Sequence, residues 1–146
     1  MTEEVFNQVD PITMMAQTET IDFLSHHLDG YEDSADHIAN AIDYAMNTNP
    51  LAGGFILLFR ESQKIIGVVV MNKTGMDGYI PANTLVYLAV HKEYRGKGKG
   101  KKLLKRAMQL CKGDIGIHIK KDQNTDFLTR EIGFDNEYLE LRYQAK

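Results

Sequence analysis

Leu85-Val86-Tyr87-Leu88-Ala89-Val90-His91-Lys92-Glu93-Tyr94-Arg95-Gly96-Lys97-Gly98-Lys99-Gly100-Lys101-Lys102 reads, in order, as an apolar strand, a glycine- and lysine-rich turn and the start of an amphipathic helix. The first backbone N–H groups of a helix have no carbonyl partner and carry partial positive charge, so they suit a phosphate. Gly96, Gly98 and Gly100 remove the side chains that would hold a phosphate away from the backbone, and Arg95, Lys97, Lys99, Lys101 and Lys102 add full charges. The stretch therefore predicts a grip on a phosphorylated ligand.

Outward from the turn, Leu103, Leu104, Ala107, Leu110 and Cys111 form one apolar stripe, which predicts a helix over 99–111. A strand over 115–119, a short helix over 124–132 closed by Gly133 and a last strand over 138–143 follow. Upstream, 55–60 and 65–71 read as a hairpin joined by Glu61-Ser62-Gln63-Lys64, and 72–83 as a loop. The N-terminal third predicts a short strand over 5–9 and a helix over 11–28 entered at Asp10-Pro11 and stopped at Asp29-Gly30. It also predicts a second helix capped by Ser34, with Ile38, Ala41, Ile42, Ala45 and Met46 as its apolar face. This order implies an α/β (α+β mixed sheet) class: a central, mostly antiparallel sheet with one parallel step and helices on both faces. No repeat or linker interrupts it, so residues 1–146 read as a single domain.

The net charge of −3 hides an asymmetry: residues 1–59 hold ten acids and no Lys or Arg, whereas 92–106 hold eight basic residues and one acid. Such a chain can hold an anion at one place and attract a cation at another, although charge runs are as often plain solvated surface. The net acidity and the lack of an aromatic-studded basic strand argue against nucleic acid as partner. No apolar run reaches membrane-spanning length, which argues against a membrane partner. The single cysteine, Cys111, fits a reducing cytoplasm. No Cys or acid stands at metal-site spacing from the histidines, so no metal is expected. Oligomeric state is open, with a homodimer as the general prior.

The P-loop and dinucleotide spacings are both absent. Arg95-x-x-Gly98-x-Gly100 after Leu88-Ala89-Val90 instead resembles the acetyl-CoA-binding motif of the GNAT superfamily, the GCN5-related N-acetyltransferases. The 55–71 hairpin and Thr129-Arg130-Glu131-Ile132-Gly133-Phe134 match that family in order and spacing. The resemblance implies the GNAT-like acyl-CoA N-acyltransferase fold. It implies acetyl-CoA as acyl donor, with the pantetheine arm near Leu88 and Val90, in a gap between the strand ending there and the next. The diphosphate would lie on Arg95, Gly96, Lys97, Gly98, Lys99, Gly100 and Lys101, with Asn124 either a further contact or a helix cap. It implies N-acetyl transfer to an amine of a small molecule or protein.

Two positions depart from the family pattern. The usual glutamate base falls on an apolar residue near Val86, and the usual tyrosine acid on Thr129, a poor acid. His118 and Tyr138 are the substitutes to consider, each also readable as an ordinary strand side chain. A catalytically degenerate acyl-CoA sensor or scaffold is the alternative. On the acceptor side, Tyr31, Glu32 and Asp33 place an aromatic beside carboxylates, a setting for a cationic amine.

Overall fold

The computed structural model describes residues 1–29 and 31–145. Its strands are β1 (Thr2–Phe6), β2 (Gly54–Glu61), β3 (Lys64–Lys73), β4 (Asn83–Val90) and β5 (Ile115–Ile117). They form one sheet in chain order, antiparallel except for the parallel β4–β5 pair. The helices are α1 (Met14–His27), α2 (Ala35–Ala45) and α3 (Lys99–Gln109). A π-type helical segment, Phe127–Ile132, precedes a left-handed Gly133. Among the described residues no helix is long and apolar enough to cross a membrane.

Strands β2 and β3 are apolar on both faces because both are covered. On one side Phe23 and Leu24 of α1 and Ile38, Ile42 and Ala45 of α2 pack on Ile56, Leu58, Val68 and Val70. On the other, Leu103, Leu104 and Ala107 of α3 pack on Leu57, Phe59, Val69 and Met71. Each fully buried Leu or Ile contributes on the order of 1.5–3 kcal/mol, enough to override modest local preferences. Helix α1 shows this: it buries only Ala16, Thr20, Phe23 and Leu24, one i, i+4, i+7, i+8 stripe. The Thr20 hydroxyl is satisfied inside that stripe by donating to the Ala16 carbonyl at 2.7 Å. Gly67 lets α3 sit close, since a Cβ there would lie 3.0 Å from Leu103 Cδ2.

Several boundaries differ from the sequence expectation. Asp10 does not start α1: Asn7 Oδ1 accepts the N–H groups of Val9 and Asp10, and this turn delays the helix until Thr13, whose hydroxyl caps Ala16 N–H. The same turn ends β1 at Phe6, so the strand lies at 2–6 and not 5–9. Ser34 caps α2 as expected, accepting from His37 N–H. The expected stop of α1 at Asp29-Gly30 falls partly on Gly30, outside the described residues; Leu28 is the C-cap. Strand β5 ends at Ile117, and 134–145 form no strand. A three-residue edge offers little to pair with, and Leu139, Leu141 and Tyr143 stay exposed while Glu140 and Arg142 pair locally at 2.6 Å.

The β2–β3 hairpin turns on Ser62 and Gln63, at φ of 50° and 67°. That is a primed turn built without asparagine or glycine. Left-handed backbone costs an ordinary residue about 1–2 kcal/mol. Ser62→Asn combined with Gln63→Gly is expected to raise the free energy of unfolding by about 1 kcal/mol, measured by urea denaturation; a loss would show that the side chains present are needed at the turn.

Candidate functional site

Strand β4 is pinned to β5 at one end and free at the other. The pin is Asn83, buried, whose Nδ2 donates to the Lys112 carbonyl at 2.7 Å and whose backbone N–H donates to the Asp114 carbonyl at 3.0 Å. The ladder then runs Asn83↔Ile115, Thr84↔Gly116, Leu85↔Ile117 and ends. Residues 86–90 continue beside β3 alone among the described strands. A strand with one unpaired edge presents N–H and C=O groups to an extended, amide-bearing ligand. The gap expected beside Leu88 and Val90 would lie along this edge.

At the same level β4 carries a bulge. Val70 pairs with Tyr87 but Met71 with Leu85, leaving Val86 as the extra residue. Val86 and Tyr87 consequently both pack toward α1 and α2, while Leu85 and Leu88 pack toward α3. Bulges re-aim side chains in this way beside functional sites.

Beyond Val90 a single 3₁₀ turn (Lys92–Tyr94) leads to Gly96 and Gly98, at φ of 77° and 76°. A Cβ at either would meet nothing within 4 Å, so the missing side chains face open space and leave the backbone of the turn accessible. Gly98 is the left-handed N-cap of α3, and the first internal helix bond is Lys102 N–H to the Gly98 carbonyl at 3.1 Å. The N–H groups of Lys99, Gly100 and Lys101 therefore have no intrahelical partner. The Lys97 and Lys64 ammonium groups both lie over the Tyr94 ring, 5.6 and 5.7 Å from its centroid.

Arg95 is used differently from the expectation that its charge faces a phosphate. Its Nε donates to the Val90 carbonyl at 3.0 Å and its Nη2 to the His27 carbonyl at 2.8 Å, and Nη1 pairs with Asp29. The guanidinium thus bolts the turn to the end of α1, leaving only the Arg95 backbone for a ligand. Beside it, His27 and His91 stack with ring centroids 4.3 Å apart. His27 Nδ1 accepts Lys92 N–H at 3.2 Å and His91 Nδ1 accepts Glu93 N–H at 3.1 Å. Part of the N-terminal acidity is consumed by such pairs: Arg106 takes Glu3, Arg60 takes Glu4 and Glu19, and Arg95 takes Asp29.

On the acceptor side the loop residues separate. Tyr31 packs its half-buried ring against the α1–α2 core, and burial pushes its phenol up, so it is not an open platform. Glu32 is exposed. Asp33 turns to the sheet: its Oδ2 accepts the Tyr87 hydroxyl at 2.7 Å, and its Oδ1 lies 2.8 Å from His37 Nδ1. Burial works against this carboxylate, but the hydrogen bonds from Tyr87, His37 and Ser34 N–H hold it below the usual range. Burial and the Asp33 contact push the Tyr87 phenol well up.

The catalytic candidates read from sequence do not converge on the gap. His118 follows the end of β5, with its side chain 70% exposed and Nε2 3.5 Å from Glu140. Tyr138 is exposed on the segment without a strand, its ring 6.2 Å from Tyr79. The Thr129 hydroxyl donates to the Thr125 carbonyl at 3.1 Å inside its own helical turn. Asn124 Oδ1 accepts Asp126 N–H at 2.9 Å, a local side-chain turn ahead of the Phe127–Ile132 segment, whose N-cap is Asp126 and not Asn124. Burial pushes the Cys111 thiol up to about 11, far from thiolate chemistry at neutral pH. No group of His, Cys, Asp and Glu suited to a metal ion occurs among the described residues. Sequence reasoning missed Tyr87 and His37: the Asp33–His37 spacing of four was visible, but the bulge that aims Tyr87 at Asp33 has no sequence mark.

A model of the acetyltransferase (GNAT) domain matches residues 52–135. No curated protein matches the sequence. Among solved structures, an aminoglycoside antibiotic 6'-N-acetyltransferase from Acinetobacter haemolyticus superposes with a TM-score of 0.69 at 13% identity, over 100% of this chain and 99% of that one. A GNAT family acetyltransferase from Staphylococcus aureus gives 0.62 at 21% identity, over 99% and 100%. AAC(6')-Iy, in complex with the bisubstrate analogue CoA-S-monomethyl-acetylneamine, gives 0.67 at 11% identity, over 100% and 99%. At these identities the likeness is one of fold.

The histidine pair gives the protein a pH signature. Burial, then the neighbouring His91, Arg95 and Lys92 charges, lower His27; burial and Lys64 lower His91 against the opposing pull of Glu93. With folded values below the unfolded value of about 6.5, the unfolded chain takes up protons first as pH falls. Stability is therefore full above that value and is lost as pH falls through it. The thermal midpoint is expected to drop between pH 7.5 and 5.5, and to drop less in a His27→Gln/His91→Gln variant; an equal drop in both proteins would assign the effect to other groups.

Proposed function

The chain belongs to the GNAT acetyltransferase family, and we propose that it transfers an acetyl group from acetyl-CoA to a primary amine of a cationic acceptor, by direct attack with both substrates bound. The observation that carries this reading is the continuous ligand track: the free β4 edge at 86–90, the left-handed Gly96–Gly98 turn and the open N-terminus of α3. A diphosphate fits the turn because nothing occupies the space where Cβ atoms would stand. The pantetheine arm fits the strand edge beside Leu88 and Val90. Lys97, Lys99 and Lys101 supply charge, and Arg95 holds the turn in place. Bound there, acetyl-CoA supplies an activated thioester carbonyl.

The acceptor is proposed to enter from the α1–α2 side, where Glu32 and Asp33 favour a cation. A polyamine-like or aminoglycoside-like molecule or a lysine side chain has the required chemistry, and the fold likeness to aminoglycoside acetyltransferases supports a small-molecule amine. A single-domain protein acting in the cytoplasm, without a nucleic-acid, membrane or metal partner, goes with this reading, and a homodimer is compatible with it. The second reading is an acyl-CoA sensor. It draws on Val86, which packs with the α1–α2 core where a base would stand, and on the internally bonded Thr129.

The deciding experiment is thermal unfolding with acetyl-CoA, CoA and ATP, followed by an amine screen. At a hundred times its dissociation constant a ligand stabilises by about 2.7 kcal/mol. Acetyl-CoA and CoA are expected to raise the midpoint, ATP is not, and turnover of an amine separates enzyme from sensor. Gly98→Asp is expected to abolish the shift while costing the unliganded protein only about 1 kcal/mol, since Asp tolerates left-handed backbone better than most residues. A retained shift in that variant would place the ligand elsewhere.

A further inference from the structure

We propose that His37, oriented by Asp33 and through it by Tyr87, is the general base that takes the proton from the acceptor's ammonium group. The inference rests on the transferase reading above and supplies the base that Val86 leaves missing.

The chain has five histidines, and their ring nitrogens are committed differently. His27 and His91 each spend the Nδ1 lone pair on a backbone N–H, which puts the ring proton on Nε2. His118 Nε2 stands 3.5 Å from Glu140, a long contact. His26 Nδ1 faces the Asp22 carbonyl at 2.8 Å, a local contact within α1. His37 alone, among the described residues, has Nδ1 at hydrogen-bond distance from a carboxylate oxygen, Asp33 Oδ1 at 2.8 Å. That contact requires the proton on Nδ1 and leaves the Nε2 lone pair free, with the side chain 68% exposed. A carboxylate on Nδ1 fixes the tautomer of a base and stabilises the imidazolium it becomes.

An exposed Asp–His pair four residues apart at a helix start is by itself ordinary surface. Here the carboxylate is held from behind. Tyr87, 7% exposed and 54 residues away in sequence, donates to Asp33 Oδ2 at 2.7 Å, and Ser34 N–H donates to Oδ1 at 3.0 Å. The two oxygens are fixed from two sides, so the imidazole has one orientation to follow. Tyr87 reaches Asp33 because of the bulge at Val86, immediately past the last β4–β5 rung and two residues before Leu88. The dyad is thereby tied to the open end of β4, on the side where the acidic loop lies. Asp33 and Tyr87 act as positioning residues.

The step balances without another reagent. The acceptor R–NH3+ gives one proton to His37 Nε2; the freed nitrogen lone pair forms the N–C bond to the acetyl carbonyl as the C–S bond breaks. A second N–H proton goes to the thiolate sulfur, and the imidazolium returns its proton to water.

The test has two arms. In protein with 15N-labelled histidine, the NMR spectrum is expected to show His37 as the Nδ1–H tautomer, shifting toward Nε2–H in Asp33→Ala. Finding wild-type His37 as Nε2–H overturns the proposal whether or not the protein turns over. In kinetics with an amine found by the screen, His37→Gln is expected to lower kcat/KM by about 100-fold, with the CoA-induced thermal shift intact. The acid limb of the wild-type pH profile is expected to coincide with the NMR titration of His37 and to vanish in the variant, while His26→Gln behaves as wild type. Activity of His37→Gln within twofold of wild type, or an unchanged acid limb, overturns the base. Absence of turnover of every amine by wild type, with the Nδ1–H tautomer present, overturns the transferase reading and with it the catalytic role; the hydrogen-bonded chain then stands as structure alone.

Discussion

The parting of β4 from β5 is the constraint from which the site follows. A parallel pair that stayed in register to Val90 would have no free edge, and the glycine turn would open onto nothing. Asn83 fixes one end of the pair through two carbonyls of the 112–114 loop, and the pairing stops at Leu85↔Ile117. Close packing reinforces the pin, because a Cβ on Gly116 would lie 2.7 Å from Pro81 Cγ. Past that fixed point residues 86–90 pair with β3 alone among the described strands, and theirs is the edge the proposed pantetheine arm would take.

The bulge at Val86 divides the labour of β4 between two faces. Leu85 and Leu88 remain with α3, whose N-terminus faces the turn, and Tyr87 goes over to the helices on the other side. One extra residue therefore connects the basic, glycine-rich end of the molecule to its acidic end. A phenol buried in an apolar core without a partner is costly, so Asp33 and Tyr87 stabilise each other's placement.

Much of this was legible in the sequence, and the limits have physical causes. The turn at 95–101 announced itself because glycine spacing and charge are local properties. The buried hairpin and the Ser34 cap were legible for the same reason. The start of α1 was not, since Asn7 competes with Asp10 for the same backbone through a side-chain turn that composition does not rank. The tail at 138–143 has strand-like alternation but faces a three-residue edge, and alternation alone does not create a partner. Within the site, the expected aromatic platform failed because Tyr31 is worth more packed against the helices than exposed. The Asp33–Tyr87 contact was hidden because a bulge changes which face a residue occupies, and only the register reveals it.

Arg95 carries a last lesson about what a motif letter means. In sequence it looks like one more cation in a basic run, interchangeable with its lysine neighbours. In the fold its planar fork serves the Val90 carbonyl, the His27 carbonyl and the Asp29 carboxylate together. A lysine offers a single point of charge on a flexible stem and cannot span three acceptors. The positive charge of the turn and the fastening of the turn to the body of the protein are thus separate properties held by different residues, and an arginine-to-lysine exchange at this position would preserve the electrostatics while cutting the tether.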